Sequence, residues 1–533
     1  MRFRYPILTL SLLLSLAFSA GGQGRDALRD YRYVVRTNPF LRLDNPAGIG
    51  RLPIDRIAVA EGAFVKDNGG LKGPDDSADD WRASGGTESY VKVSDKVTFY
   101  GRMGYSYFQG QEMGGSLLAG SSSAPLNFYE MVDSTAALRT RESYSLTGAM
   151  AYRFNSRWAA GVAVDYGTGN QVKHRDPRSR SALMDISVRA GAQWSVSDRR
   201  TIGLNLEYRR NLEELRARQY GTTDKMYYIF VDYGACYGIK ELFSGDEGFV
   251  SLSNPRYLDD TRLGGSLQFY SDGDLQWFHQ LTYLHRDGYY GKRSSSTVVF
   301  CDFGGHEAAY SGSALLKRGT DTDRFSADLS FTLVNNYLNV YKKTTEPGKS
   351  TVVAYYGRNL ILSAADASAR LAWDAWRGVE NFRANTSFGA SLDGAFHRGI
   401  TTIYPYKRTA QIISLNAAGY GERDLRRGVR DILTLRAEGC FGMGFGNPAS
   451  DRQLATSSSP APLSFDARLN RQFEFETAPR AGLGIGCTYT RIFTEKFAAY
   501  VRIQNGLTAL LSAPQYLDGR IRNVATLTVG CTF

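Results

Sequence analysis

Five histidines, His174, His279, His285, His306 and His397, are the first residues to weigh for chemistry. None of their separations matches a metal-ligand spacing, so no metal site and no cofactor is expected. His285 and Asp287 form one His–Asp neighbour pair, the single place where an enzymatic reading can rest. No phosphate-binding glycine loop, serine nucleophile elbow or paired-cysteine motif accompanies it, and the chain is not expected to be an enzyme. The cysteines number 5, an odd count that excludes a complete disulfide framework. Cys440, Cys487 and Cys531 fall in alternating segments as small packing residues, while Cys236 and Cys301 lie in loops where pairing stays open. A third set carries more information: Arg102, Arg189, Arg209, Arg370, Arg383, Arg436 and Arg502, with Glu207, Asp328, Asp374 and Glu438. These charges sit within or beside segments that are otherwise apolar at every second residue.

The elements that hold them are strands. Tyr144, Leu146, Gly148, Met150, Tyr152 and Phe154 share one face, and Ser145, Thr147, Ala149, Ala151 and Arg153 the other. Ile202, Leu204, Leu206 and Tyr208 alternate with Gly203, Asn205, Glu207 and Arg209, and Leu433 to Phe445 repeats the pattern. The mean hydropathy of −0.32 is too polar for a bundle of membrane helices, which needs repeated apolar runs of ~20 residues. Aromatic residues make up 13%, which excludes disorder.

The connections between strands follow a rule. Short polar turns occur at Ser94–Lys96, Asn155–Arg157, Asp198–Arg200, Ser271–Asp274, Gly319–Asp323, Arg377–Asn381, Asp424–Gly428 and Thr494–Lys496. Between successive turns lie a strand, a long loop and a returning strand. The loops cover roughly 67–86, 110–141, 174–182, 212–261, 287–306, 342–365, 398–407 and 446–475. Short turns at one end and long loops at the other are the asymmetry of an outer-membrane β-barrel, which a soluble sandwich has no reason to keep. Trp158, Phe325, Phe382 and Phe497 follow turns and are expected in an aromatic girdle at the periplasmic interface. The expected fold is therefore all-β, a single transmembrane antiparallel barrel of 18 strands, with a range of 14 to 18. Its first strand lies around Ile54 to Val65.

Both termini fit this fold. Arg2 and Arg4, the apolar run Ile7–Phe18 and the small residues after it form a secretory signal peptide over residues 1–20. Residues 21–52 are polar, basic and not alternating, a periplasmic or hatch-like segment, and the barrel occupies 53–533. Ala525, Leu527, Val529, Cys531 and Phe533 form the apolar face of a last strand, which resembles the sorting signal that the barrel-assembly machinery recognises. The formal charge of +11 falls by two when Arg2 and Arg4 leave with the leader. Export makes nucleic acid an improbable partner; outer-membrane lipid, lipopolysaccharide phosphates or an anionic solute suit the basic excess better.

In a barrel the alternation turns the Arg, Asp and Glu set toward the lumen, because an Arg on the lipid face at mid-depth costs ~2–4 kcal/mol. Those groups either line a water-filled path biased toward anions or pair with one another. In the longest loop, Tyr220, Tyr227, Tyr228, Tyr233 and Tyr237 suit a ligand-contacting surface or an inward-folded constriction. Lys173, Arg175, Arg178 and Arg180 in another loop suit lipopolysaccharide phosphate.

Asn45-Pro46-Ala47-Gly48, before the first strand, resembles the early element of fatty-acid-transporter-type barrels. That resemblance implies an N-terminal hatch in the lumen and passage of hydrophobic compounds. The mature chain as a whole resembles uncharacterised outer-membrane barrels of anaerobic Gram-negatives, which implies fold and location but no substrate. Three functions follow: a channel or facilitated transporter for a small solute; a closed barrel acting through its outer loops as a receptor accessory or as a surface-binding or adhesive protein; and, remotely, an outer-membrane hydrolase.

Overall fold

The structure, a computed structural model, describes residues 29–533 apart from 120–129, 222–225, 244–248, 253, 428–429 and 495. The expected leader, residues 1–20, lies outside the described residues, as do parts of the turns at 424–428 and 494–496. Strands β1 (Arg56–Gly69), β2 (Asp79–Lys92), β3 (Val97–Ser116), β4 (Glu130–Arg153), β5 (Trp158–Lys173), β6 (Arg178–Ser197) and β7 (Arg200–Arg218) are neighbours in sequence order. A long connection carries the hairpin β8 (Tyr228–Asp232) and β9 (Tyr237–Leu242) before β10 (Arg256–Ser271) pairs with β7. The wall continues through β11 (Leu275–Gly291), β12 (Val299–Arg318), β13 (Asp321–Thr344) and β14 (Val352–Arg377). Next come β15 (Thr386–Ile403), β16 (Tyr406–Arg427) and β17 (Asp431–Gln453). The connection after β17 holds the two-residue β18 (Leu463–Ser464) and the helix Asp466–Thr477, and β19 (Arg480–Thr494), β20 (Phe497–Leu510) and β21 (Ile521–Thr532) complete the wall.

β21 pairs antiparallel with β1, from Val59↔Thr532 to Gly69↔Arg522, and this contact closes an 18-strand barrel. Closure leaves no sheet edge, the condition under which a strand wall can stand in hydrocarbon. The register puts apolar side chains outward and polar ones inward. Leu206 and Ile485 are 62% and 72% exposed on the lipid side, whereas inward Asn205 is 2% exposed. Stacked Trp158 and Trp194, 5.7 Å apart, and stacked Phe325 and Trp373, 6.5 Å apart, mark the periplasmic interface. Ala525, Leu527, Val529 and Cys531 face outward on β21, and the Phe533 backbone exchanges hydrogen bonds with Ala58.

Three sequence expectations need correction. Strands run from 12 residues in β21 to 26 in β14, the longest more than twice the ~9–11 that span a bilayer. The outer loops are correspondingly shorter; the loop expected at 398–407 is only the two residues between Ile403 and Tyr406. Above the membrane both faces meet water, so the hydrophobic alternation fades while the backbone ladder continues. Phe382 is not a girdle residue: it packs against the inner core, and its carbonyl accepts the Asp30 N–H at 3.1 Å.

Residues 29–54 lie inside the barrel. They form a helix, Tyr31–Thr37, capped by the Asp30 side chain, and two 3-10 turns, Pro39–Arg42 and Pro46–Arg51. Val34, Leu41, Leu43, Ile49, Leu52 and Ile54 bury against wall residues including Ile57, Tyr90, Tyr100 and Ala163. Each such side chain contributes roughly 1.5–3 kcal/mol relative to exposure, so this segment is a seated plug.

Candidate functional site

The plug is fixed to the wall by polar contacts at several points around the lumen. Asn45 Nδ2 donates to the carbonyls of Ala192 (3.1 Å) and Leu204 (3.2 Å), and its Oδ1 accepts from Ala47 N–H. Arg51 donates to Gln193, Ser195 and Thr201 on the same side, and the Tyr90 hydroxyl donates to the Leu41 carbonyl at 2.7 Å. Further round the wall, on β12 and β13, Arg42 bonds Ser311 at 2.6 Å and Asp328 at 3.5 Å. Tyr33 and Thr322 hydroxyls meet at 3.0 Å.

The turn Asn45-Pro46-Ala47-Gly48 rests on glycines. A Cβ at Gly161 would lie 2.5 Å from Ala47 N, and one at Gly203 would lie 2.9 Å from Asn45 Nδ2. These inward glycines of β5 and β7, with Gly191 on β6, form a floor that only hydrogen side chains permit. The sequence signal was available, three glycines at inward positions of consecutive strands, but nothing in the sequence aligns them at one height.

Where the plug leaves the wall, a chamber of 580 Å³ opens against β13 to β20. Arg36 and Arg42 reach it from the plug, and Arg324, Arg370 and Arg436 from the wall, facing Asp328, Asp374 and Glu438. A second chamber of 600 Å³ shares Arg42, Asp328 and Arg370 with it. Arg36 and Arg324 both approach Asp374, at 3.5 and 3.4 Å, and the Tyr420 hydroxyl donates to the same carboxylate at 2.8 Å. Arg36, Arg42, Arg324 and Tyr420 were not singled out in the sequence, the first two because their segment shows no alternation.

Most of the other inward charges are paired as well. Arg189 bonds Asp165 and the Leu43 carbonyl, and Glu207 lies directly opposite Arg189 in the β6–β7 register. Arg209 meets Asp185 in a two-point pair with one bond at 2.9 Å. Arg370 meets Asp393 at 3.2 Å, Arg436 meets Glu438 at 3.1 Å and Glu422 at 3.5 Å, and Arg502 lies 3.8 Å from Glu61. Arg102 stands opposite Glu88 across β2–β3. Arg383 is on the periplasmic connection between β14 and β15, where it meets Asp424 at 3.2 Å. The lumen is thus lined largely by paired charges. Arg370 and Arg36 keep 57% and 51% of their side-chain surface open, which makes them the most available cations in the chamber.

A second inward element, the β8–β9 hairpin, crosses the outer end. Met131↔Val231 pairing fixes the β8–β9 hairpin to β4, and Leu463↔Gly238 pairing ties β9 to β18. Ile229, Val231 and Tyr233 pack with Leu117, Leu215, Phe303 and Leu362 in one apolar cluster. The hairpin tip reaches the far wall, where Thr401 donates to the Gly234 carbonyl at 2.9 Å and Arg408 to that of Ala235 at 3.3 Å. Asp232 folds the tip by accepting the N–H groups of Gly234, Cys236 and Tyr237 at 2.8, 3.1 and 3.2 Å. Burial nevertheless pushes its carboxyl up to about 6.

The loop tyrosines separate accordingly. Tyr233 and Tyr237 are buried, Tyr237 beneath Arg408 at 4.5 Å, and Tyr227 packs on the cluster. Tyr228 lies under Lys240 at 3.8 Å, and Tyr220 stays on the outer surface. Lys173 does not join the outer basic group: it points inward and is buried against Asp133, because parity on β5 turns it to the lumen beside Arg139. Arg175, Arg178 and Arg180 are exposed. Cys236 and Cys301 are both buried and are not joined to one another by a disulfide, and Cys301 sits within β12 rather than in a loop. His285 faces His306 across β11–β12 with ring centroids 5.3 Å apart, and Asp287 shares this outward face, away from the lumen.

A sequence-family model matches residues 46–533, from the proline of the glycine-seated turn to the last residue. The chain belongs to DUF6850, a family of unknown function. No curated protein matches the sequence. Among solved structures, the ferric preacinetobactin receptor BauA of Acinetobacter baumannii aligns over 89% of this chain and 80% of its own, with 8% identity and TM-score 0.37. The FrpB iron transporter of Neisseria meningitidis aligns over 92% and 84%, with 7% identity and TM-score 0.39. A Pseudomonas aeruginosa FadL homologue aligns over 92% of both chains, with 12% identity and TM-score 0.32. Such scores say nothing of cargo, and the barrel fold stands on the strand register of this DUF6850 chain itself.

Proposed function

We propose that this protein is an integral barrel of the Gram-negative outer membrane, exported by a cleaved leader, that passes a small polar solute by a gated route. The observation that carries this reading is the chamber between plug and wall. Its five guanidiniums face three carboxylates, and two of the cations remain open to solvent. Such a lining favours a solute bearing a carboxylate or phosphate, held by charge-assisted hydrogen bonds. The plug sits in the lumen and the hairpin crosses its outer end, so passage requires the hairpin cap or the plug to move, and a permanently open pore is not the reading supported.

Planar-bilayer recording tests it. The intact barrel is expected to conduct rarely, and a variant lacking residues 29–52 to conduct steadily. If that variant stays silent at every voltage, the transport reading is lost. The apolar cluster beneath the outer loops supports a second reading, a closed barrel that binds partners at its surface; it gains if the truncated protein folds yet never conducts.

A further inference from the structure

The outer ends of β6 and β7 carry an arrangement that an isolated sheet would avoid. Arg178 stands directly opposite Arg218, and Arg180 directly opposite Arg216. Side chains opposite one another on adjacent strands have Cβ atoms ~5 Å apart, and like charges there are destabilising. All four arginines are exposed, and all four face outward, since Ser179, Ser181, Leu215 and Ala217 between them are buried on the inner side. Arg178 has Asp176 at 3.3 Å, and Arg216 is bonded to Glu214. Among the described residues no carboxylate comes within ion-pair distance of Arg180 or Arg218. The ring of Tyr220 lies under both Arg178 and Arg218, at 4.7 and 4.8 Å, and holds two guanidiniums together.

Height identifies what such a grid meets. The outward residues of β6 between Trp194 and Arg180 are Ala192, Ala190, Val188, Ile186, Met184 and Ala182, all apolar. Arg180 lies 14 positions from Trp194, roughly 35 Å along the axis at ~3.3 Å per residue and ~40° tilt, whereas the apolar band is ~25 Å tall. On β7 the first charge above the outward apolar run Ile202–Tyr208 is Arg210, whose pair with Asp259 faces outward at 2.8 Å. Arg216 stands roughly 15 Å above it by the same geometry. The grid is therefore level with the sugars of the outer leaflet and on the face that touches them.

We propose that Arg178, Arg180, Arg216 and Arg218, with Tyr220, bind the phosphorylated sugar headgroup of lipopolysaccharide. Planar guanidiniums engage phosphate oxygens two at a time, and two phosphates between the paired strands remove the repulsion that the register imposes. The inference rests on the outer-membrane placement above, but not on transport.

The test uses the full-length barrel in detergent, titrated with bis-phosphorylated lipid A and read by native mass spectrometry. The double variant Arg180→Gln/Arg218→Gln is expected to bind about tenfold more weakly, while Lys349→Gln on a distant outer loop binds as the unchanged protein does. Enzymatically dephosphorylated lipid A is expected to bind the unchanged protein no better than it binds the double variant. Retained heat-modifiable migration on gels shows that the variant is folded; should it not be, Tyr220→Ala, which leaves every charge in place, is expected to weaken binding in the same direction. Equal binding by folded variants, or equal binding of dephosphorylated lipid A, overturns the proposal. Inositol hexakisphosphate binding as tightly as lipid A assigns the grid to a soluble polyanion and also overturns it. Because binding is read without a membrane potential, its failure is distinguishable from a failure to conduct.

Discussion

Asn45 Oδ1 lies where a Cβ at Gly191 would come within 2.0 Å of it. No rotamer change of an asparagine already holding two wall carbonyls relieves so close an approach. The Gly191→Ala variant is therefore expected to lift the plug from β6, with an overpacking cost of ~1–3 kcal/mol. Limited trypsin digestion from the periplasmic side checks this: cleavage at Arg42 or Arg51 is expected to accelerate. Gly148→Ala is the control, because a Cβ there has nothing within 4 Å. If both variants digest alike, the floor has no role in seating the plug.

Removing the asparagine should act in the same direction more gently. Asn45→Ala deletes the bonds to Ala192 and Leu204 and leaves both carbonyls to their strand partners, at a cost of ~1–2 kcal/mol. Spontaneous openings in planar bilayers are expected to become several-fold more frequent. Unchanged opening statistics would show that the plug is not the gate.

The outer cap carries a pH dependence whose sign can be worked out. In the seated hairpin Asp232 titrates at about 6, above the ~4 of a free carboxyl. Seating is then linked to proton uptake: its contribution is full below about 4 and is lost as pH rises through about 6. Openings attributable to the cap are expected to be more frequent at pH 7.5 than at pH 4.5, and Asp232→Asn is expected to abolish the difference. The opposite slope in recordings across that range would mean that another group governs the cap.

Selectivity is expected to follow the most open cation in the chamber. Arg370 retains over half its side-chain surface, so Arg370→Gln in the plug-deleted barrel should lower the anion-to-cation permeability ratio by about two- to threefold. Arg209→Gln, whose guanidinium is locked on Asp185, should change it less. Reversal potentials in asymmetric salt measure both; the reverse order would move the selectivity filter to the β6–β7 wall.

Much of the barrel was legible because its signals are local. Period-2 alternation, short turns of alternating parity and the apolar face ending at Phe533 need only neighbours in sequence, and they give 18 strands and the inward direction of residues such as Arg189 and Asp374. The upper limits of the strands were not legible, since a ladder in water keeps its hydrogen bonds and loses its hydrophobic contrast. Lys173 shows the same difficulty at one residue: it sits in a basic run whose other members face out, and only strand parity turns it inward.

What the sequence determined by itself was therefore the wall, because a lipid-facing strand must write its orientation into every second residue. Tertiary structure alone decided what fills that wall. The plug seat joins Asn45 to Gly161, Gly191 and Gly203, the outer cap joins Gly234 to Thr401, and the chamber joins Arg36 to Asp374. Those contacts each join a segment with no period to a strand more than a hundred residues away, so no local pattern encodes them. They exist because barrel closure brings distant strands to one height around a common interior.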